Sequence, residues 1–215
     1  MFKNKIIRYS TFAMFLAILA YFFVENFSGH DETIDLAVTN PAKYIDKLTK
    51  ERAAKDEQFK TADDSPIPDK ADFHGLHYFK VNPEYRVKAT ISPYTNDDKE
   101  LVIKYTDGTT TKYERYGYAH FEINNRPQKL LLLKNENVIS VLFRDETSGK
   151  ETYGGGRYLD YPASEIKNNS MVLDFNNAYN PYCAYQPNYA CPIPPAENKL
   201  LISIFAGEQI EDANH

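Results

Sequence analysis

Residues 101–143 read "LVIKYTDGTTTKYERYGYAHFEINNRPQKLLLLKNENVISVLF", and the turns inside that stretch decide the fold. Asp107-Gly108 is a two-residue hairpin dipeptide, because both residue types accept the positive φ that the tight turn demands. Asn124-Asn125 and the group Asn135 to Asn137 repeat the signal, and Ser148-Gly149 supplies a fourth. Four turns at hairpin spacing describe an antiparallel meander. Just upstream, residues 85–91 alternate Tyr85, Val87, Ala89 and Ile91 with Arg86, Lys88 and Thr90, the period of a half-buried strand. Leu130 to Leu133 do not alternate and call for cover on both faces. With "LHYF", "MVLDF" and a closing "KLLISIFA", the expectation reaches about ten strands. Such a chain is mainly β, a meander that closes into a curved barrel or a two-sheet sandwich, because closure removes exposed edges. The 17 Tyr and 13 Phe, with no Trp, agree with strands.

One helix is expected ahead of the strands. In "NPAKYIDKLTKERAAKDEQFK", residues 40–60, Asn40 is a cap and Pro41 occupies the first helical position. Ile45, Leu48, Arg52 and Phe59 fall near one face, so the helix is amphipathic. "DDSPIP" ends it, since proline and the residue before it both resist helix.

At the N-terminus, Lys3, Lys5 and Arg8 precede "TFAMFLAILAYFFV", residues 11–24, which carries no charge. A basic flank before an apolar run marks a signal-anchor or a secretory signal. No small-x-small cleavage pattern follows it, which favours an uncleaved membrane-anchor helix over a removed signal. The organisation expected is therefore an anchor at 1–24, a polar spacer at 25–40 and one β-rich domain at 41–215 facing the extracytoplasmic side, periplasmic or extracellular. Without those three cations, 22 basic residues face 30 acidic ones, a net of −8. No basic stripe appears, which argues against nucleic acid as a partner.

Four stretches carry a family resemblance: "KDEQFKTADDSPIP", "FHGLHYFKVNPEYRVKA", "DETSGKETYGGGRYLD" and "LDFNNAYNPYCAYQPNYACPIPPAENKLLISIFAGE". Over residues 50 to 209 or so, the chain resembles the family called domain of unknown function 1684. The resemblance implies no catalytic residue list. Members similar to this chain often carry an N-terminal export signal.

The long block from Leu173 to Glu208 holds both cysteines. Cys183 and Cys191 enclose seven residues, and in an exported domain a disulfide is the default, worth roughly 2.5 kcal/mol. Free thiols, or a metal held together with His74 or His120, are the alternatives. Two cysteines at this spacing are a weak zinc signal, so no metal is expected. His74 and His77 read as surface or half-buried histidines. Gly154 to Gly156 mark a sharp bend or present N–H groups to an anion. Arg157, right after them, needs a carboxylate if buried, or offers a fork to an anionic ligand. Asp174, Asn176, Asn180, Glu197 and Asn198 complete the polar candidates, either capping turns in a proline-rich loop or lining a site. There is no nucleophile elbow and no dinucleotide fingerprint, and no cofactor is expected.

Three functions compete. The first is a membrane-tethered β domain whose aromatic pocket, walled by the long block, binds a small ligand or envelope glycan. The second is a structural or interaction protein of the cell envelope. The third is a hydrolase using Glu197 and Asp174 as acid and base, with Arg157 holding an anion. Intact-mass analysis of the membrane fraction is expected to return the full chain. A mature N-terminus between residues 20 and 32 refutes the anchor.

Overall fold

The computed structural model of the protein describes residues 40–210. The anchor expected at 1–24, and the spacer up to residue 39, lie outside the described residues. Among the described residues, no helix is long and apolar enough to cross a membrane.

Helix α1 (Pro41–Thr61) starts as its sequence dictates: the Asn40 side chain accepts the Lys43 N–H at 3.0 Å, and Pro41 opens the first turn. Leu48 and Phe59 are buried, as expected, but Ile45 is exposed. The docking face runs instead through Tyr44, Leu48, Arg52, Lys55 and Phe59. Their polar members reach partners with their tips: Tyr44 donates to Asp174, Arg52 to two backbone carbonyls and Lys55 to Glu208.

Seven strands follow: β1 (Arg86–Pro93), β2 (Glu100–Lys104), β3 (Thr110–Ile123), β4 (Arg126–Asn135), β5 (Val138–Phe143), β6 (Arg157–Pro162) and β7 (Ser170–Asp174). They form one antiparallel sheet in the order β6-β5-β4-β3-β1-β7, with β2 beside the first half of β3. The hairpin turns at Asp107-Gly108, Asn124-Asn125 and Asn135 to Asn137 stand, with positive φ at Gly108, Asn124, Asn125 and Glu136. The sheet curls because the 14-residue β3 bends. Its register slips between Arg115 and Gly117 against β4, a bulge that strengthens the local twist. Gly117 is needed there, since a Cβ would sit 2.5 Å from the Ser92 carbonyl oxygen. The product is a curled half-barrel in place of the expected closed barrel or sandwich. Its outer strands, β6 and β7, do not pair with each other. A single two-bond bridge, Tyr158 with Tyr179 at 2.9 and 3.0 Å, lies along the free edge of β6.

Three expected strand features resolve differently. "LHYF" contributes only an isolated bridge between Tyr78 and Glu208. Ser148-Gly149 does turn, with Gly149 at φ +82, but it sits inside a loop and the partner strand begins only at Arg157. "KLLISIFA" keeps a strand's alternation, with Leu200, Ile202, Ile204 and Ala206 buried and Leu201 and Phe205 exposed, yet forms no strand. Those four buried side chains join the inner core together with Val87, Phe121, Leu132, Val141, Leu159 and Leu173. The segment fills the half-barrel that a further strand was expected to close.

Leu130 to Leu133 are each fully buried. Leu130 and Leu132 belong to the inner core, while Leu131 and Leu133 belong to a second cluster with Ile103, Leu142 and Tyr158 on the opposite face. The run lacks alternation because both faces are covered.

Asn198 holds the sheet where β4 and β5 part. Their ladder runs from Asn135↔Val138 to Leu133↔Ser140 and stops. Beyond that point, the Asn198 side chain accepts the Leu131 N–H at 2.7 Å and donates to the Leu131 and Leu142 carbonyls, each at 2.9 Å. One amide thus replaces ladder bonds between two strands. It is also where the chain changes sides. Pro192 before it meets Tyr158 of the second cluster, and Leu200 after it belongs to the inner core. Each buried backbone group left without a partner costs about 1–3 kcal/mol. Asn198→Ala is therefore expected to lower stability by roughly 3–5 kcal/mol. A urea midpoint corresponding to less than about 1 kcal/mol of loss contradicts the clasp.

Candidate functional site

The six polar candidates do not converge. Arg157, 1 % exposed, pairs with Asp145 at 2.6 Å and donates to the carbonyls of Ile204, Ala206 and Glu208. Burial pulls its pKa below the usual guanidinium value, and Asp145 opposes that pull. The glycines before it make the bend: Gly156 has φ +102, and a Cβ there would lie 2.5 Å from the Phe143 carbonyl oxygen. Asp174 accepts the Tyr44 hydroxyl at 2.7 Å and the Asn176 amide at 3.0 Å. Asn176 in turn holds the backbone of Asn82 through its Oδ1 and Nδ2, both at 2.8 Å. Glu197 is exposed and accepts the Tyr118 hydroxyl at 2.9 Å. Asn198 is the strand clasp. The acid, base and anion-holding trio of Glu197, Asp174 and Arg157 is thus spread over three separate networks.

Asn180 leads to the group that organises the site. Its backbone N–H donates to Glu208 at 2.7 Å, and its Nδ2 to the Gln209 carbonyl at 2.9 Å. Glu208, buried, also takes the Tyr185 hydroxyl at 2.8 Å and the Lys55 ammonium at 2.5 Å. Burial, then Glu208 itself, pushes the Tyr185 phenol far above its usual pKa, so it remains a donor at neutral pH. One carboxylate thereby ties helix α1 to the long block.

The space framed by that tie is a cleft of about 720 Å³ between α1 and the long block. Phe59, Tyr158, Tyr179, Tyr182 and Tyr189 wall it, with Glu51, Lys55 and Gln58 along the helix side. Its rings brace one another edge to face: Phe59 with Tyr182 at 5.8 Å, Tyr182 with Tyr189 at 5.3 Å and Tyr158 with Tyr179 at 5.8 Å. Tyr182 is the open member, 38 % exposed. A smaller chamber of about 140 Å³ shares Glu51, Lys55 and Tyr179 with the cleft and adds Arg52, Tyr78 and Glu208.

Sequence reasoning missed Glu208, Lys55, Tyr78 and Asp145. Lys55 was within reach, being four residues from Phe59 and so on the docking face of the helix. Asp145 opens an Asx turn, its carboxylate accepting the Thr147 N–H at 2.8 Å. Glu208 has no local pattern to betray it. His74 is exposed, close to Asp72 at 3.7 Å, and His77 is likewise on the surface. Among the described residues, no cluster of three His, Cys, Asp or Glu side chains could hold a metal.

The expected disulfide is not formed. Cys183 and Cys191 are free thiols. The Cys191 sulfur accepts the Cys183 N–H at 3.1 Å, which seats it against the first turn of the loop. The loop is fixed by other means: Cys191 exchanges hydrogen bonds with Thr106, and Ile193 donates to the Lys104 carbonyl at 2.9 Å. Burial and the neighbouring thiol push the Cys191 pKa up to about 12.

Residues 71–209 match the family described as "Protein of unknown function (DUF1684)", and the chain belongs to that family. Helix α1, with Arg52, Lys55 and Phe59, precedes the matched residues. Among solved structures, the chain is similar to the solution NMR structure of an uncharacterized protein of Haloarcula marismortui. The two are 32% identical, with a TM-score of 0.61 over 79% of this chain and 95% of that one. No curated protein matches it.

The raised thiol pKa keeps Cys191 protonated until the pH approaches 12, and alkylation proceeds through the thiolate. In the native protein at pH 8, iodoacetamide is expected to modify Cys191 at least 100-fold more slowly than an unperturbed thiol. Unfolding without reductant should then yield two alkylated cysteines by mass. A single disulfide-linked peptide in that map reverses the finding.

Proposed function

We propose that the protein is a membrane-tethered binding module on the extracytoplasmic side, and that its aromatic cleft takes a small ligand or a glycan of the cell envelope. The observation that carries this reading is the cleft itself: five aromatic side chains around about 720 Å³ of space, with Glu51, Lys55 and Gln58 along the helix side. Sugar rings pair apolar C–H faces with a rim of hydroxyls. Braced tyrosines and a phenylalanine offer the stacking surface, and Glu51 and Gln58 the hydrogen bonds. The rings are held by one another, and Phe59 also by Tyr185 at 5.7 Å, so little freedom is lost when a ligand binds. The basic-flanked apolar segment at 1–24 supports the tether.

The hydrolase reading finds no support in the geometry, since its three residues sit apart. The reading as an envelope interaction protein draws on Leu201 and Phe205, exposed at 64 % and 47 % on the C-terminal segment.

Calorimetric titration with neutral oligosaccharides is expected to show saturable binding. Tyr182→Ala should weaken it at least tenfold, about 1.4 kcal/mol, and the conservative Tyr182→Phe, which keeps the ring bracing Phe59 and Tyr189, should retain most of the affinity. Binding that survives Tyr182→Ala unchanged places the ligand elsewhere. A binding-silent protein that self-associates, and loses that association on Phe205→Ser, favours the interaction reading.

A further inference from the structure

The C-terminal segment leaves an apolar row uncovered. Residues 200–207, "LLISIFAG", carry no charge. Leu200, Ile202, Ile204 and Ala206 face the inner core, so Leu201, Ser203 and Phe205 point the other way. Leu201 is the most exposed large apolar side chain among the described residues. Phe205 meets the half-buried Phe79 edge to face at 5.7 Å, which lengthens the row. Single exposed apolar residues are ordinary, but three side by side mark a contact surface.

The row lies at the end of the half-barrel where α1 begins. Arg126, at the tip of the β3–β4 hairpin, donates to the Leu201 carbonyl at 3.1 Å. β1 runs antiparallel to β3 with Thr90 opposite His120, which puts the start of β1 at that same tip. Arg86, the first residue of β1, pairs with Asp174, and Asp174 takes the Tyr44 hydroxyl from the first turn of α1. The Phe205 side connects to the same helix, because the Phe79 carbonyl accepts Arg52. Only residues 25–39 separate Asn40 from the apolar run at 11–24. That length of chain reaches at most about 50–55 Å, whatever course it takes.

Two exposed cations flank the row, Arg126 beside Leu201 and Lys80 next in the chain to Phe79. Glu84 and Glu146 are exposed nearby, Glu146 with its N–H on the Ile202 carbonyl at 3.1 Å, so the surface as a whole is not basic. Attraction to anionic headgroups is therefore weak, and apolar insertion carries the contact. Three side chains fall far short of the roughly 20–30 residues a side of a stable protein interface. They suffice against a membrane, because a tether already holds the domain there and the contact has only to orient it.

We propose that the end of the half-barrel bearing Leu201, Phe205 and Phe79 rests in the interfacial layer of the membrane that anchors the chain. Leu201 and Phe205 dip between the lipid headgroups, and Arg126 and Lys80 stay at headgroup level. This rests on the membrane-tethered reading above and adds an orientation to it. The Asn124-Asn125 hairpin then points toward the bilayer and β2 lies on the far side.

The chain has no Trp, so a single introduced one reports without background. Full-length Phe205→Trp and, as a control, Val102→Trp are reconstituted in phosphatidylcholine vesicles with and without brominated acyl chains. Val102 is exposed and pairs with Lys112, at the end of β3 away from the hairpin tip. Brominated lipid should quench the Phe205→Trp emission at least about twofold and shift it to the blue, and leave Val102→Trp within about a tenth. Adding phosphatidylglycerol to the vesicles should change neither. Leu201→Glu in the Phe205→Trp chain should remove most of the quenching while far-UV circular dichroism stays the same. If the chain floats with the vesicles and the two reporters behave alike, the tether stands and the docking face falls. If Phe205→Trp is shielded from iodide yet not quenched by brominated lipid, and the chain cross-links to itself, a second copy covers the row and the proposal is overturned. A chain that stays in solution defeats tether and docking face together.

Discussion

A buried carboxylate cannot stay charged without partners, and Glu208 obtains three of them from two distant parts of the chain. Lys55 comes from the only long helix among the described residues, and the Asn180 N–H and the Tyr185 hydroxyl come from the long block. Removing any one leaves charge in a low-dielectric setting, which is far more expensive than the pair is favourable. The position of α1 against the half-barrel, the cleft between helix and block, and the chamber behind it all follow from where that carboxylate lies. Its own backbone is fixed as well, by its N–H to the Ala178 carbonyl at 2.8 Å and by Arg157 on its carbonyl. Arg157, which the sequence marks out as a ligand-binding candidate, instead supports the group that shapes the site.

The half-barrel solves its edge problem without a further strand. The C-terminal segment supplies apolar side chains at alternate positions, while its backbone makes only a short parallel bridge to the residues just after β5, with the Arg144 N–H on Asn198, the Leu200 N–H on Arg144 and the Glu146 N–H on Ile202, so it fills space where a strand would extend the sheet. Asn198 makes this possible, because a side-chain amide carries a donor and an acceptor in the same relation as a peptide group. It can satisfy two parted strands while its own backbone turns from one face of the sheet to the other. The second apolar cluster is then covered by the proline-rich loop, with Pro192 against Tyr158. This is why a sequence with four consecutive leucines gives a sheet that is buried on both faces there.

Much of this was legible in the residues. The cap at Asn40, the hairpins at Asp107-Gly108 and Asn124-Asn125, and the double cover of Leu130 to Leu133 are all local effects, decided by φ preferences and by the period of apolar side chains. What failed depends on distant groups. "KLLISIFA" has a strand's alternation, but alternation reports which side chains are buried and not how far a backbone ladder runs, and here it stops at a short bridge to Arg144 and Glu146. The cysteines are eight positions apart and close in space, yet loop anchoring by Thr106 and Lys104 seats them as thiols. Of the site, the aromatic richness of the long block was readable and the cleft follows from it. The meeting of Lys55, Tyr78 and Glu208 was not, because nothing in any one of those segments names the other two.

The placement of the C-terminal segment also orders events during synthesis. When a nascent chain has emerged only as far as β7, the strands have been made, but the inner face still lacks Leu200, Ile202, Ile204 and Ala206, the β4–β5 split lacks its amide, and Lys55 lacks its counter-charge. The half-barrel at that stage is an open apolar trough with no plug. Cooperative folding is thus expected to await nearly all of the described chain, and the helix, although made before every strand, keeps its docking face uncovered until Glu208 emerges.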